Sequence, residues 1–154
     1  MSKSKTDELV FLPLGGSNEI GMNLNAYGFG PANDRKWILV DVGVTFGDHT
    51  TPGVDVIVPD PTFLEGENIL GIVLTHAHED HIGALGWLWP RLKAPLYATP
   101  FTAYLIREKL RDAGLGDRVK IHEVPLGGTI DLDPFHIEMV TIPHSTAEPN
   151  GLAI

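Results

Sequence analysis

The segment His76-Ala77-His78-Glu79-Asp80-His81 follows directly on the apolar run Ile69-Leu70-Gly71-Ile72-Val73-Leu74-Thr75, and this junction constrains the fold more than any other part of the chain. Such a run reads as a buried strand, so the hexapeptide falls on the loop at its carboxyl end, where α/β sheets place their chemistry. With His at 7 of 154 positions, an unordered chain would contain His-x-His-x-Asp-His about once in a thousand sequences of this length. Chance is a poor explanation.

The spacing has a chemical reading. In an extended or turning loop His76 and His78 point the same way, and two neutral imidazoles converging on one point suit a borderline-soft divalent ion such as zinc. Asp80 and His81 project elsewhere and offer an oxygen and a nitrogen to a second ion. Two adjacent metals hold a hydroxide between them, a nucleophile available at neutral pH. The bland alternatives are solvated loop histidines or a single structural zinc site. Structural sites favour Cys, and this chain has none, which also excludes a disulfide framework.

Apolar runs at 9–14, 22–29, 37–42, 69–75, 95–98, 118–124 and 135–142 read as strands, separated by turn clusters of Gly, Pro, Asn and Asp. Thr99 as N-cap, Pro100 at the first helical position and Gly114 just past the end frame a helix over Phe101–Ala113, with Phe101, Leu105, Ile106 and Leu110 facing the sheet. A second helix spans Ile82–Leu92, interrupted by Gly86 and ended near Pro90. Trp87 and Trp89 on it read as core or lid packing. Arg107, Lys109 and Arg111 read as a solvated helix face. His49 reads as a solvated loop residue, and His122 and His136 as exposed alternate positions of strands.

Composition fits an ordinary soluble domain, with 43% hydrophobic and 20% charged residues. Residues 1–8 read as a flexible tail, and nothing apolar behind them is long enough for a signal peptide or a membrane span, so the expected location is cytoplasmic. The formal charge of -9 argues against a nucleic-acid partner on its face, because phosphate contacts call for a basic surface. Two divalent ions would restore about +4 locally.

His-x-His-x-Asp-His after a buried strand resembles the metallo-β-lactamase superfamily, whose fold is two β-sheets packed face to face with helices outside. Trp37-Ile38-Leu39-Val40-Asp41-Val42-Gly43 is similar to that family's early strand ending in a structural Asp. Thr141-Ile142-Pro143-His144-Ser145 is similar to the later strand whose following His completes the first metal site. The opening Leu12-Pro13-Leu14-Gly15-Gly16-Ser17-Asn18-Glu19-Ile20-Gly21-Met22-Asn23, with Val44-Thr45-Phe46-Gly47 and Val54-Asp55-Val56-Ile57-Val58-Pro59-Asp60, resembles the ribonuclease J family of the β-CASP nuclease branch. From residues alone, Gly15 to Asn23 reads as a tight hairpin, with Glu19 anchoring the loop near the metals.

The resemblance implies an αββα four-layer sandwich, with 9–154 its N-terminal portion, cut before the β-CASP insertion. It implies two zinc ions, with manganese as the alternative: His76, His78 and His144 for the first, Asp80 and His81 for the second. Asp80 would also orient the nucleophile. The activity implied is 5′-to-3′ and internal cleavage of RNA in a homo-oligomer without membrane contact. The bridging Asp, a last metal-ligand His and the proton donor would follow Ile154, so the 154-residue chain alone is expected to be a weak one-metal binder without nuclease activity. A thioesterase or lactonase on the same metal loop, and an inactive metal-binding fragment, are the competing readings.

Overall fold

A computed structural model describes residues 6–154. In chain order the elements are β1 (Glu8–Gly15), β2 (Leu24–Gly30), β3 (Lys36–Val40), β4 (Thr45–Phe46), β5 (Val56–Ile57), β6 (Asn68–Val73), α1 (Glu79–Ile82), α2 (Leu85–Leu92), β7 (Leu96–Ala98), α3 (Pro100–Asp112), β8 (Ile121–Glu123), β9 (Thr129–Leu132), β10 (Phe135–Thr141) and β11 (Asn150–Ala153). Glu8, expected in the tail, is the first residue of β1; residues 1–5 of that tail lie outside the described residues.

Two sheets carry the fold. One has the order β1-β2-β3-β6-β7-β8, and the other β11-β10-β9. The first three strands of the large sheet are antiparallel neighbours; β3, β6, β7 and β8 run parallel, with α1 and α2, then α3, as crossovers. Alternation explains how both faces are used. Trp37, Leu39 and Ile72 face the helices and pack with Leu85, Leu88, Ile106 and Leu110. Their neighbours Ile38 and Val73 face the small sheet and meet Ile130, Phe135, Ile137 and Met139. Full burial of an Ile or Val contributes roughly 1.5–3 kcal/mol, so the two clusters hold the strands from both sides. The layering is helix, sheet, sheet, which is three layers of the expected four-layer sandwich.

All the runs read as strands form strands, with ends shifted by up to three residues in either direction. The run expected to extend to residue 42 stops at Val40, because Asp41 adopts a left-handed backbone conformation (φ 65°) that no strand accommodates. The β4–β5 hairpin and β9 were not legible in the sequence. The helix expected over 82–92 differs more. The break falls at Gly83 and Ala84, not at Gly86. The carbonyl of Asp80, which would accept from Ala84 in a continuous helix, instead accepts from Asn23 (3.0 Å), while the Ala84 N–H donates to Val42 (3.0 Å). Pro90 does not end α2: it lacks an N–H and forgoes one bond, to Gly86, in the last turn.

The ends of α3 are as expected, with Thr99 as N-cap, Pro100 first and Gly114 beyond at φ 71°. Its buried face is Thr102, Ala103, Ile106 and Leu110; Phe101 and Leu105 lie half-buried at the flank. Arg107, Lys109 and Arg111 are each ion-paired, to Glu123, Glu79 and Glu108. Trp89 is buried with its indole N–H on the Ala94 carbonyl, whereas Trp87 is 58% exposed and is not core. No helix among the described residues is long and apolar enough to cross a membrane.

Candidate metal centre

Four loops meet at the carboxyl end of β6. The stretch after β6 supplies His76, His78, Asp80 and His81; the turn after β3 supplies Asp41; the β1–β2 loop supplies Asn23; the loop after β10 supplies His144. Backbone bonds stitch them together: Asp41 N–H to Val73, Val42 N–H to His81, Gly43 N–H to Asn23 and Asn23 N–H to Asp80. Gly43 is required by contact, since a Cβ there would lie 1.6 Å from the Asp80 carbonyl oxygen.

One ring nitrogen from each of His76, His78 and His144 falls within 4.8 Å of the others. Their ring centroids form a near-equilateral triangle with sides of 4.9, 4.7 and 4.7 Å. Hydrogen bonding dictates which His76 nitrogen is free. The Thr75 hydroxyl lies 3.0 and 2.9 Å from the two Asp41 carboxylate oxygens, which can only accept, so its single proton goes there. The hydroxyl oxygen must then accept from Nδ1 of His76, 2.9 Å away. That leaves Nε2 of His76 as a bare, buried nitrogen with no hydrogen-bond partner. Burial, reinforced by the neighbouring charge of His81, holds the His76 imidazole down at about 4, so it is neutral at physiological pH. A buried lone pair beside two further imidazoles is the donor set that a divalent ion such as zinc takes.

His81 is held differently. Its Nδ1 lies 2.7 Å from Asp41 and its Nε2 lies 3.3 Å from Asp80. Burial works to lower its pKa, but the hydrogen bond and charge of Asp41, helped by Asp80, raise it overall. The arrangement is a carboxylate orienting an imidazole so that the opposite nitrogen points outward with Asp80. The Asn23 amide fixes the same turn, donating to the Asp80 carbonyl at 2.9 Å. The rings of His76 and His81 are 4.0 Å apart, so Asp80 and His81 border the three-histidine cluster.

All five residues singled out in the sequence as candidate ligands therefore assemble at one end of the sheet. Glu19 does not reach the site: exposed, it accepts from the Gly16 N–H within its own loop. His49 and His136 are exposed as expected, but His122 is half-buried, stacked on Tyr97 with centroids 4.7 Å apart. Thr75 and Asn23 were missed as supports.

A layered sheet sandwich whose chemistry sits on a histidine-rich loop beyond a buried strand defines a class, and the chain belongs to it: the metallo-β-lactamase superfamily, with residues 36–154 matching the profile described as Beta-lactamase superfamily domain. Over 98% of its length the chain is 47% identical to Ribonuclease J of Sinorhizobium meliloti, of which it spans 27%. It is 38% identical to Ribonuclease J of Helicobacter pylori, matching along its whole length and spanning 22% of that protein. Among solved structures, a metallo-β-lactamase from Cronobacter sakazakii with a mutated HARLDQ motif shares the fold, with TM-score 0.55 at 20% identity over 91% of this chain and 54% of that one.

Proposed function

We propose that this chain carries the metal centre of a zinc-dependent ribonuclease that hydrolyses phosphodiester bonds in RNA, from the 5′ end and internally. The observation that carries the reading is the convergence of His76, His78 and His144 around the unpartnered Nε2 of His76. RNA as substrate is supported by the similarity to proteins named Ribonuclease J. In this reading those three histidines hold a first ion, and Asp80 with His81 holds a second. The chemistry that divalent metal would supply there is activation of a water at neutral pH and stabilisation of charge on the phosphoryl oxygens. Asp41 keeps His81 in the tautomer with Nε2 outward, Thr75 does the same for His76, and Asp80 accepts a hydrogen bond from the attacking water and so aims it. Location in the cytoplasm and assembly into a homo-oligomer belong to the same proposal.

The test is cleavage of 5′-monophosphorylated RNA by the intact gene product, beside a panel of thioesters and lactones, before and after chelation. RNA cleavage that chelation removes and zinc restores is the expected result. Asp80→Ala should abolish it while circular dichroism and the unfolding transition stay unchanged, because Asp80 is half-exposed and its carboxylate contacts His81 at the edge of the site rather than a core side chain. Thioester turnover without RNA cleavage would sink the ribonuclease reading.

A further inference from the structure

His144 has little of its own to hold it. Residues 141–145 are exposed, and the imidazole stands on a loop leaving the C-terminal end of β10. What fixes that loop lies a few residues further on. Its neck is closed by the Ile142 N–H on the Pro149 carbonyl, at 3.1 Å. Glu148, inside the neck, sends its carboxylate to the N-terminus of α3, where Oε2 accepts from the Phe101 N–H at 2.9 Å. Thr99, the N-cap of that helix, makes no side-chain cap bond, so a carboxylate from a distant loop satisfies an orphan donor at the positive end of the helix.

The second tie runs to the metal loop. Asn150, 97% buried by its 3% exposure, donates from both its backbone N–H (3.1 Å) and its side-chain amide (3.2 Å) to the Thr75 carbonyl. The same amide donates to the Glu148 carbonyl at 2.8 Å, bracing Glu148 in a left-handed conformation (φ 51°). Thr75 is the residue whose hydroxyl orients His76. The C-terminal end of the His144 loop is therefore tied both to α3, through Glu148, and to the residue next to His76, through Asn150.

We propose that Glu148 and Asn150 are positioning residues of the metal centre: together they lock the 142–149 loop against α3 and the end of β6, and so hold the His144 imidazole on His76 and His78. This rests on the reading of those three histidines as metal ligands. Neither Glu148 nor Asn150 belongs to the three-histidine cluster. Their action is on geometry. An exposed loop histidine that is free to wander must be ordered at the moment the ion binds, and a loop already locked avoids that cost.

The experiment uses Glu148→Ala and Glu148→Gln in the intact gene product, since Glu148 is only half-buried and its loss leaves both cores untouched; Asn150→Ala serves as a second variant. Cobalt(II) titration followed by its visible absorption reads affinity and ligand geometry, and amide exchange of the metal-free protein reads the clamp without any metal. Glu148→Ala should weaken cobalt binding about 10–100-fold, as loss of an outer partner of a ligand does, and alter the visible bands. Exchange at Phe101 and across 143–149 should quicken. Glu148→Gln, whose side-chain oxygen can still accept from Phe101, should stay within a few-fold of the unaltered protein. Cobalt affinity and bands unchanged in Glu148→Ala would overturn the proposal. If the unaltered protein takes up no cobalt, it is the metal reading that fails; the clamp then stands or falls on exchange at Phe101, and unchanged protection in Glu148→Ala overturns it.

Discussion

Asp41 and His81 are joined by a 2.7 Å contact between carboxylate Oδ2 and imidazole Nδ1, bridging the turn after β3 and the loop after β6. The other side of the same carboxylate takes the Thr75 N–H at 2.8 Å and shares the Thr75 hydroxyl. One buried Asp thus orients both an imidazole and the threonine that orients another. Asp41→Asn keeps the volume but replaces an acceptor oxygen with a donor, so it cannot serve Thr75 and His81 together. Metal affinity should fall about 10–100-fold, measured by competition with a chromophoric chelator. Unchanged affinity would mean that Asp41 has no part in setting the ligands.

Gly43 lies where the turn after β3 crosses the metal loop. A methyl group there would sit 1.6 Å from the Asp80 carbonyl oxygen and 2.0 Å from its carbon, both backbone atoms already engaged with Asn23. Backbone cannot step aside as a flexible side chain can. Gly43→Ala should destabilise the fold by about 3 kcal/mol or more, at the upper end for overpacking. Gly53→Ala is the control: its φ of 82° costs about 1–2 kcal/mol, but nothing lies within 4 Å of the added carbon. Urea unfolding of the two variants should separate them clearly.

What the sequence disclosed follows from which physical signals are contiguous. Trp37-Ile38-Leu39 and Ile72-Val73-Leu74 lose water on both faces, so they stand out as apolar runs, and the strands they form are where expected. The two-residue strands β4 and β5 have no room for a period, and β9 offers only Ile130 and Leu132 inward. The histidine loop was legible because its candidate ligands sit within six residues. His144 needed the family resemblance, since nothing local marks it. Asn23 and Asn150 escaped because they act through backbone partners, the carbonyls of Asp80 and Thr75, which leave no residue-type signature; Thr75 escaped because its hydroxyl orients His76 only once Asp41, 34 residues away, is brought beside it by the fold. The helix break at Gly83 escaped for the same reason: Asn23 occupies the Asp80 carbonyl from 57 residues away.

The depressed His76 pKa makes a pH prediction for the metal-free protein. Unfolded, a histidine titrates near 6.5; folded, His76 titrates near 4, so between those values the unfolded chain binds the extra proton. Stability contributed by His76 is full above about 6.5 and is lost as pH falls towards about 4. His81, raised, works in the opposite sense: its contribution is full below about 6.5 and is lost as pH rises through its folded value. Comparison with His76→Gln separates the two. Relative to that variant, the unaltered protein should lose stability between pH 7 and pH 5 in chemical denaturation; parallel curves would show that His76 is not buried neutral.

His144 tests the centre with the least collateral damage. Its side chain is exposed and has no hydrogen-bond partner among the described residues, so His144→Ala should change the stability of the metal-free protein by no more than about 0.5 kcal/mol. Its effect on the metal-loaded protein should be large. On the proposed reading, removing one of three imidazoles takes away a direct ligand, and the affinity loss should exceed the roughly 100-fold upper range for loss of an outer partner. Because an ion that binds only the folded state stabilises it by RT ln(1 + [L]/Kd), a 100-fold change in Kd removes about 2.7 kcal/mol of metal-dependent stabilisation. Thermal unfolding with and without zinc should therefore show similar Tm values for the two metal-free proteins and a zinc-induced rise in Tm largely confined to the unaltered one. His136→Ala, on the solvent face of β10 and hydrogen-bonded to Asp131, should keep the full zinc response. An equal zinc response in His144→Ala would show that the loop after β10 contributes no ligand, and the three-histidine centre would have to be abandoned.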